Sequence, residues 1–205
     1  MKTAVIHNPK SAWLRAIVYF AICLLIGWWS GAAEMIFSQP LATAENLESR
    51  GFIPLVIACF VVILVGYGYI WPKGTLTHGR PLNLVAVGVF GLLWGLSEGT
   101  LFMSVWLIAS RWIAADWLLI LVVFLALATF KGLWHSLYWD IYVSPEHNIE
   151  AWNGRKVLFA HVPNLLFTLT CLTLYHTAGL FVIWQTMALL LSAYFMRFPP
   201  FWGNK

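Results

Sequence analysis

Six long apolar stretches, separated by short polar connections, are the feature that most restricts how this chain can fold. They cover residues 12–29, 52–71, 83–109, 116–138, 156–175 and 178–196. Each is close to the roughly 20 residues that a helix needs to cross the ~30 Å hydrocarbon core of a bilayer. Lipid offers no hydrogen-bond partner to an open backbone, so segments of this length must be helical. We therefore predict an all-α, polytopic membrane protein with six transmembrane helices.

The composition excludes a soluble globular protein. Of the 205 residues, 61% are hydrophobic and only 10% are charged, so too much apolar surface would face water. Because no internal repeat or low-complexity linker interrupts the stretches, we expect a single integral membrane domain over residues 1–205. Cys23, Cys59 and Cys171 lie singly in three different stretches. We interpret them as small packing residues, not as a disulfide framework or a metal site.

Basic residues in the connections predict the orientation of the chain. With the N-terminus in the cytoplasm, nine of them fall on the inner side: Lys2, Lys10, Arg15, Lys73, Arg80, Arg155, Lys156, Arg197 and Lys205. On the outer side the connections hold Arg50 and Arg111. This positive-inside pattern predicts an inner (plasma) membrane protein with both termini in the cytoplasm. Attraction to anionic headgroups accounts for the basic charge, so membrane lipids are expected partners and nucleic acid is not.

The inner connection that follows the fourth stretch has the signals of a short helix. Ser144 can cap a helix that begins at Pro145, and Asn153-Gly154 is a typical stop. Apolar and polar residues would then separate onto different faces of this helix. We predict that it lies in the membrane interface near residues 145–152.

Glu98 lies near the middle of the third apolar stretch, where a carboxylate is costly. A charged side chain at that depth needs partners from the protein and marks a functional site by default. Gly91, Gly95 and Gly99 are spaced by four on the same stretch. Small residues at this spacing let another helix approach closely. We therefore expect Glu98 to point into the helix bundle beside a tight helix contact.

Further polar residues lie on the next two stretches. Lys131 and His135 are four residues apart on the fourth stretch, and therefore share one helix face. His161 and Asn164 are three apart on the fifth, and Asp140 follows just past the fourth. The sequence thus predicts a polar pocket between the third, fourth and fifth spans. It would open toward the cytoplasmic leaflet, with the buried glutamate as its deepest member.

Acid/base chemistry on a lipophilic substrate is the function that this pocket favours. A carboxylic acid in apolar surroundings can donate a proton, while a neighbouring imidazole or amine takes the complementary role. We expect an enzyme that acts on a lipid- or isoprenoid-like small molecule entering from the bilayer. The candidate residues for general acid, base and orienting group are Glu98, His135, His161, Lys131, Asp140 and Asn164.

The same residues leave a metal-assisted reaction or a haem open. His135 and His161 come from adjacent antiparallel spans at similar depth, as bis-histidine ligation of haem requires. A non-haem metal ion with nitrogen and oxygen ligands would use His135, Asp140, His147 and His161. A metal ion could assist the enzymatic reaction itself. The alternative function is a non-catalytic or haem- or metal-binding subunit of a larger membrane complex, and an oligomer is also possible.

Two other interpretations of the polar residues stay open. In the first, Glu98 and Lys131 form a buried ion pair that locks the bundle, and the histidines bond across helices. In the second, the same groups form the proton relay of a proton-coupled transporter. The lack of a repeat and of paired broken helices weakens the transporter interpretation.

Overall fold

The computed structural model describes residues 9–39, 41–73, 81–142 and 154–203, with side chains for all of these except 132–142. Within these ranges the chain is helical and contains no strand, which confirms the all-α prediction. The helices in these ranges are α1 Pro9–Ser30, α2 Ala32–Ser38, α3 Ala44–Glu48, α4 Phe52–Lys73, α5 Leu84–Ser110, α6 Asp116–Tyr142, α7 Gly154–Tyr175 and α8 Ala178–Met196.

Five of these helices are long and apolar enough to cross a membrane: α1, α4, α5, α7 and α8. Their ends lie within three residues of the predicted stretches. The fourth stretch is also helical, as the 27-residue α6, but the side chains of its last part are not described. The structure thus supports an integral membrane protein, while the count of six spans and the orientation of the termini stay predictions. The interfacial helix expected near residues 145–152 lies outside the described residues.

The glycine stripe on α5 forms a close contact with α8. Cβ atoms built on Gly91 and Gly99 would lie 2.8 and 3.3 Å from backbone Cα atoms of α8. Between them, a Cβ atom on Gly95 would overlap the backbone of Thr186. Small residues at these positions let the two helix backbones meet, and dispersion contacts then replace the hydrophobic effect that lipid cannot supply. The predicted close approach is confirmed, and α8 is its partner.

α1 packs against α5 through small and hydroxyl side chains. Gly27 lies directly against Thr100, where any side chain would overlap the threonine methyl group. The hydroxyl groups of Ser30 and Ser104 are 2.9 Å apart and hydrogen-bonded. Arg111 donates from Nη2 to the carbonyl oxygen of Ser30 at 3.0 Å. These contacts align the two helices, so that side chains from the middle of α1 reach the middle of α5.

Two π-helical segments lie where α4 meets α7. They cover Leu64–Ile70 and Val157–His161. Gly66 makes the contact close, because a Cβ atom there would lie 2.9 Å from the Cα atom of Ala160. Pro163 follows the second segment and cannot complete the α-helical hydrogen-bond pattern, which accounts for the wider turn before it. Such π turns often occur at functional sites.

The three cysteines are buried among apolar side chains. All three are buried free cysteines, and each belongs to an apolar cluster. Cys23 packs in a cluster formed by α1, α5 and α8, with Phe198 beyond the end of α8. Cys59 and Cys171 share a second cluster between α4, α7 and α8, although 112 positions separate them in the sequence. The structure thus brings together two thiols that sequence spacing does not connect.

Candidate functional site

Glu98 is buried in the middle of α5 and accepts two hydrogen bonds through one carboxylate oxygen. Trp94, one turn earlier on the same helix, donates from Nε1 to Oε1 at 2.7 Å. The hydroxyl group of Tyr19 on α1 donates to the same oxygen at 3.1 Å. The glutamate side chain is only 3% exposed, so the protein supplies the partners that lipid cannot. Oε2 accepts no hydrogen bond within the described part of the chain.

Lys131 of α6 approaches α5 one turn beyond Glu98. Its Nζ lies 5.2 Å from the centroid of the Phe102 ring, and Phe102 follows Glu98 by four residues on one helix face. Lys131 is 4% exposed, and Nζ has no hydrogen-bond partner among the described residues. The carboxyl and amino groups interact electrostatically without forming a hydrogen-bonded ion pair. An acid and an amine are thus held near each other with unused hydrogen-bonding capacity.

A second group of buried polar residues connects α4, α7 and α8. Asn164 donates from Nδ2 to Oε1 of Gln185 at 3.1 Å and to the Tyr67 hydroxyl group at 3.3 Å. Gln185 donates from Nε2 to Oγ1 of Thr168 at 3.1 Å, and that hydroxyl donates to the Asn164 carbonyl oxygen at 2.6 Å. All are buried. We call this group, with the adjoining His161, the amide cluster.

The hydrogen bonds of the amide cluster fix one another's direction. Thr168 gives its one proton to a backbone carbonyl, so it must accept from Gln185, whose oxygen then faces Asn164. Asn164 therefore presents Nδ2 to Tyr67, and the Tyr67 hydroxyl group is hydrogen-bonded to Nδ1 of His161 at 2.9 Å, with the donor set by the imidazole tautomer. Oδ1 of Asn164 is buried without a donor among the described residues.

Aromatic rings extend the amide cluster toward the start of α7. The Trp71 ring lies edge-to-face on His161, with ring centroids 5.3 Å apart. Nζ of Lys156 lies 4.8 Å from the Trp71 ring centroid. Lys156 counts in the sequence as an inner-surface charge, but it is only 4% exposed. Its aliphatic stem packs inside, and the tryptophan face takes over part of the role of water around the amino group.

The amide cluster lies next to the Glu98 site. Gly99 follows Glu98 on α5, and a Cβ atom built on it would lie 3.5 Å from the Cβ atom of Gln185. Glu98 also interacts electrostatically with Tyr67. Because a glycine stands between them, α8 brings its glutamine close to the helix that carries the glutamate. Buried polar side chains thus follow one another across α1, α5, α8, α4 and α7.

The predicted site residues whose side chains are described fall into these two groups. Glu98 and Lys131 interact electrostatically, and Lys131 Nζ lies over the ring of Phe102, one turn along α5 from Glu98. His161 and Asn164 also share a hydrogen-bonded group, but their direct partners come from α4 and α8. The described site therefore involves the first, second and sixth predicted spans in addition to the third, fourth and fifth.

The metal and haem predictions depend largely on residues that the structure does not describe. His147 lies outside the described ranges, and the side chains of His135 and Asp140 are not described. The described residues contain no group of three or more His, Cys, Asp and Glu side chains that could hold a metal ion. His161, the predicted ligand among them, is bonded to Tyr67 through Nδ1. A metal ion or haem at these positions stays a prediction.

Sequence reasoning alone misses three partners of the candidate residues. Gln185 is the only amide, acid or base in the stretch 178–196, and that isolation is a signal which could have found it. Tyr19 lies away from both ends of its stretch, where an interfacial tyrosine would not be placed. Tyr67 gives no comparable signal, because it lies near the inner end of the second stretch.

Together these features define a class, an integral membrane protein built of α-helices around buried polar side chains. No protein-family model, curated protein or solved structure matches the chain. Its chemistry therefore has to be inferred from the buried side chains themselves.

Proposed function

We propose that this protein is a membrane-embedded enzyme that performs acid/base chemistry on a lipophilic, lipid- or isoprenoid-like substrate. Glu98 acts as the acid, and Lys131 is the amine that takes the complementary role. Apolar and aromatic side chains surround both groups, so the substrate enters from the bilayer and not from water. The amide cluster supports the site from the side of α8.

One observation supports this proposal above the others: the Lys131 amine is buried near Glu98 without a hydrogen bond. A pair that served only to lock the bundle would need a closed ion pair with further hydrogen bonds. Without those hydrogen bonds, the free-energy cost of removing the two charges from water exceeds the gain from their attraction. An acid and an amine that do not bond to each other both keep hydrogen-bonding capacity for a third polar group. The carbonyl or hydroxyl group of a substrate would fill that role.

The two donors on Glu98 orient its carboxyl group for proton transfer. Because Trp94 and Tyr19 both bond to Oε1, Oε2 is the oxygen that can carry a proton and deliver it. Rotation of the carboxyl group would break both bonds, so the proton is presented in one direction. This arrangement suits protonation, isomerisation or cyclisation of an unsaturated lipid.

Glu98→Gln should abolish activity while it preserves the fold. The amide oxygen can still accept from Trp94 and Tyr19, but the group can no longer transfer a proton. We therefore expect turnover to fall at least about 100-fold. The measurement compares membrane lipids extracted from cells that make the wild type, the variant or neither, at matched protein levels. A lipid that changes only with the wild type identifies both the activity and the substrate.

Glu34→Gln is the matched control, because Glu34 is an exposed carboxylate on α2 and undergoes the same chemical change. It should keep the wild-type lipid profile. Thermal unfolding in detergent tests the structural alternative. If Glu98→Gln unfolds the protein and Lys131→Met in the same chain restores it, the pair is a structural lock and the proposal is wrong. Identical lipid profiles with and without the wild type would contradict it equally.

A further inference from the structure

We infer that the substrate of this site is a lipophilic aldehyde or ketone that forms an imine with the amine of Lys131. The inference rests on the proposed function, because it uses the same acid and the same amine. It also makes Lys131 a nucleophile, because the amine then bonds covalently to the substrate. Three observations support it: the state of the amine, the neighbouring acid and the apolar surroundings of the amine.

The amine of Lys131 is placed as a nucleophile. It is buried, and it has no hydrogen-bond partner among the described residues. An ammonium group there would hold three donors without an acceptor, whereas a neutral amine keeps a lone pair that no described residue occupies. Lysines desolvated in apolar surroundings are the ones that form imines with carbonyl compounds.

Glu98 supplies the acid that imine formation requires. Nζ adds to the carbonyl carbon, and a carbon–nitrogen bond forms. The nitrogen gives up one proton as the carbinolamine forms and a second as the carbon–oxygen bond breaks, and the carbonyl oxygen takes up two protons and leaves as water. Glu98 donates a proton to the leaving oxygen and is reprotonated by the nitrogen. No oxidant or reductant takes part, and the reverse reaction releases the carbonyl compound by hydrolysis.

One face of α6 is buried and the opposite face meets lipid. Leu119, Val123, Leu127 and Lys131 are spaced by four residues and are all buried. On the other face Leu125 is 53% exposed. Lys131 therefore continues an apolar inward stripe, one helix width away from the bilayer.

Two aromatic rings and a leucine lie beside the amine. Phe130, beside Lys131 in the chain, is partly buried and packs edge-to-face on Phe102 with centroids 6.1 Å apart. Nζ of Lys131 lies over the inner ring of this pair. Leu101, also partly buried, packs against the same apolar clusters. The amine is thus bordered by apolar side chains, which favours a lipophilic carbonyl compound over a water-soluble one.

Reductive trapping tests the imine directly. The purified full chain in lipid nanodiscs is incubated with hexadecanal, and sodium borohydride then converts any imine into a stable secondary amine. Peptide mass spectrometry measures the modified fraction at each lysine. We expect Lys131 to be modified at least about tenfold faster than the exposed Lys73, because an adjacent acid accelerates such steps by 10-fold and more. Modification of Lys73 but not of Lys131 would overturn the inference.

Two controls separate imine formation in the site from general aldehyde reactivity. Glyceraldehyde, which is water-soluble, should modify Lys73 and leave Lys131 largely unmodified. Glu98→Gln should slow the reaction of Lys131 while the rate at Lys73 stays unchanged. Equal labelling of Lys131 by both aldehydes would contradict a lipophilic site. The wild-type comparison of the two lysines still decides the question if the variant fails to fold.

The inference and the proposed function can fail separately. If the wild type changes the lipids of the cell in a manner dependent on Glu98 but Lys131 is never trapped, the proposed enzymatic function is supported and the inferred imine is wrong. If Lys131 is trapped but no lipid changes, the site binds carbonyl compounds and the proposed enzyme is wrong.

Discussion

Gly95→Ala should lower the free energy of unfolding by about 1–3 kcal/mol, because the added methyl group has no space. A Cβ atom at this position overlaps the backbone of Thr186 on α8, and backbone cannot rotate away as a side chain can. The two helices must then separate along the whole stripe, and the contacts at Gly91 and Gly99 loosen with them. Denaturant or thermal unfolding in detergent measures the loss.

Gly88→Ala on the same helix is the matched control. A Cβ atom there meets nothing within 4 Å, so the substitution adds helix propensity without a clash. It should leave stability unchanged or raise it by up to about 1 kcal/mol. If the free energy of unfolding rises at Gly88 and falls at Gly95, packing against α8 determines how each substitution changes stability. A loss of similar size at both positions would show that the glycine stripe does not determine how α5 packs.

The positions of the helices could be predicted from the sequence because the thickness of a bilayer fixes their length. Apolar run length therefore placed the ends of five helices within three residues. Which helices meet could not be predicted in this way. The glycine spacing indicates that a close partner exists, but the same spacing suits any partner, and only the packed structure identifies Thr186 and the rest of α8.

Part of the site could be predicted from the sequence, because residue spacing gives the depth of a side chain in the membrane and the helix face on which it lies. Glu98 and Lys131 are close enough to interact electrostatically, and His161 and Asn164, one turn apart, belong to one hydrogen-bonded group. Their other partners depend on how each helix is rotated about its axis. Contacts such as Gly66 against Ala160 determine that rotation, and they connect residues far apart in the sequence.

Asn164→Leu and Gln185→Leu should each lower the free energy of unfolding by about 1–3 kcal/mol, because each leaves buried polar partners unsatisfied. Leucine has the same number and branching of side-chain heavy atoms as asparagine, so no cavity forms and the loss of hydrogen bonds should dominate at Asn164. The removed amide serves both Gln185 and Tyr67, at 3.1 and 3.3 Å. Unfolding in detergent measures each variant.

The double variant with leucine at both positions decides whether the amide cluster acts as a unit. In the double variant neither amide remains to be left unsatisfied by the loss of the other. Its loss in free energy of unfolding should therefore be smaller than the sum of the two single losses by at least about 0.5 kcal/mol. Val182→Ala offers a comparison on α8, because the Val182 side chain packs on Gly99 and cannot form a hydrogen bond. Paired with Asn164→Leu it should give an additive result. If the Asn164 and Gln185 effects are also additive, the hydrogen bond between them contributes nothing to the stability of the bundle. The amide cluster then could not hold α8 beside Glu98 in the way the proposed function needs.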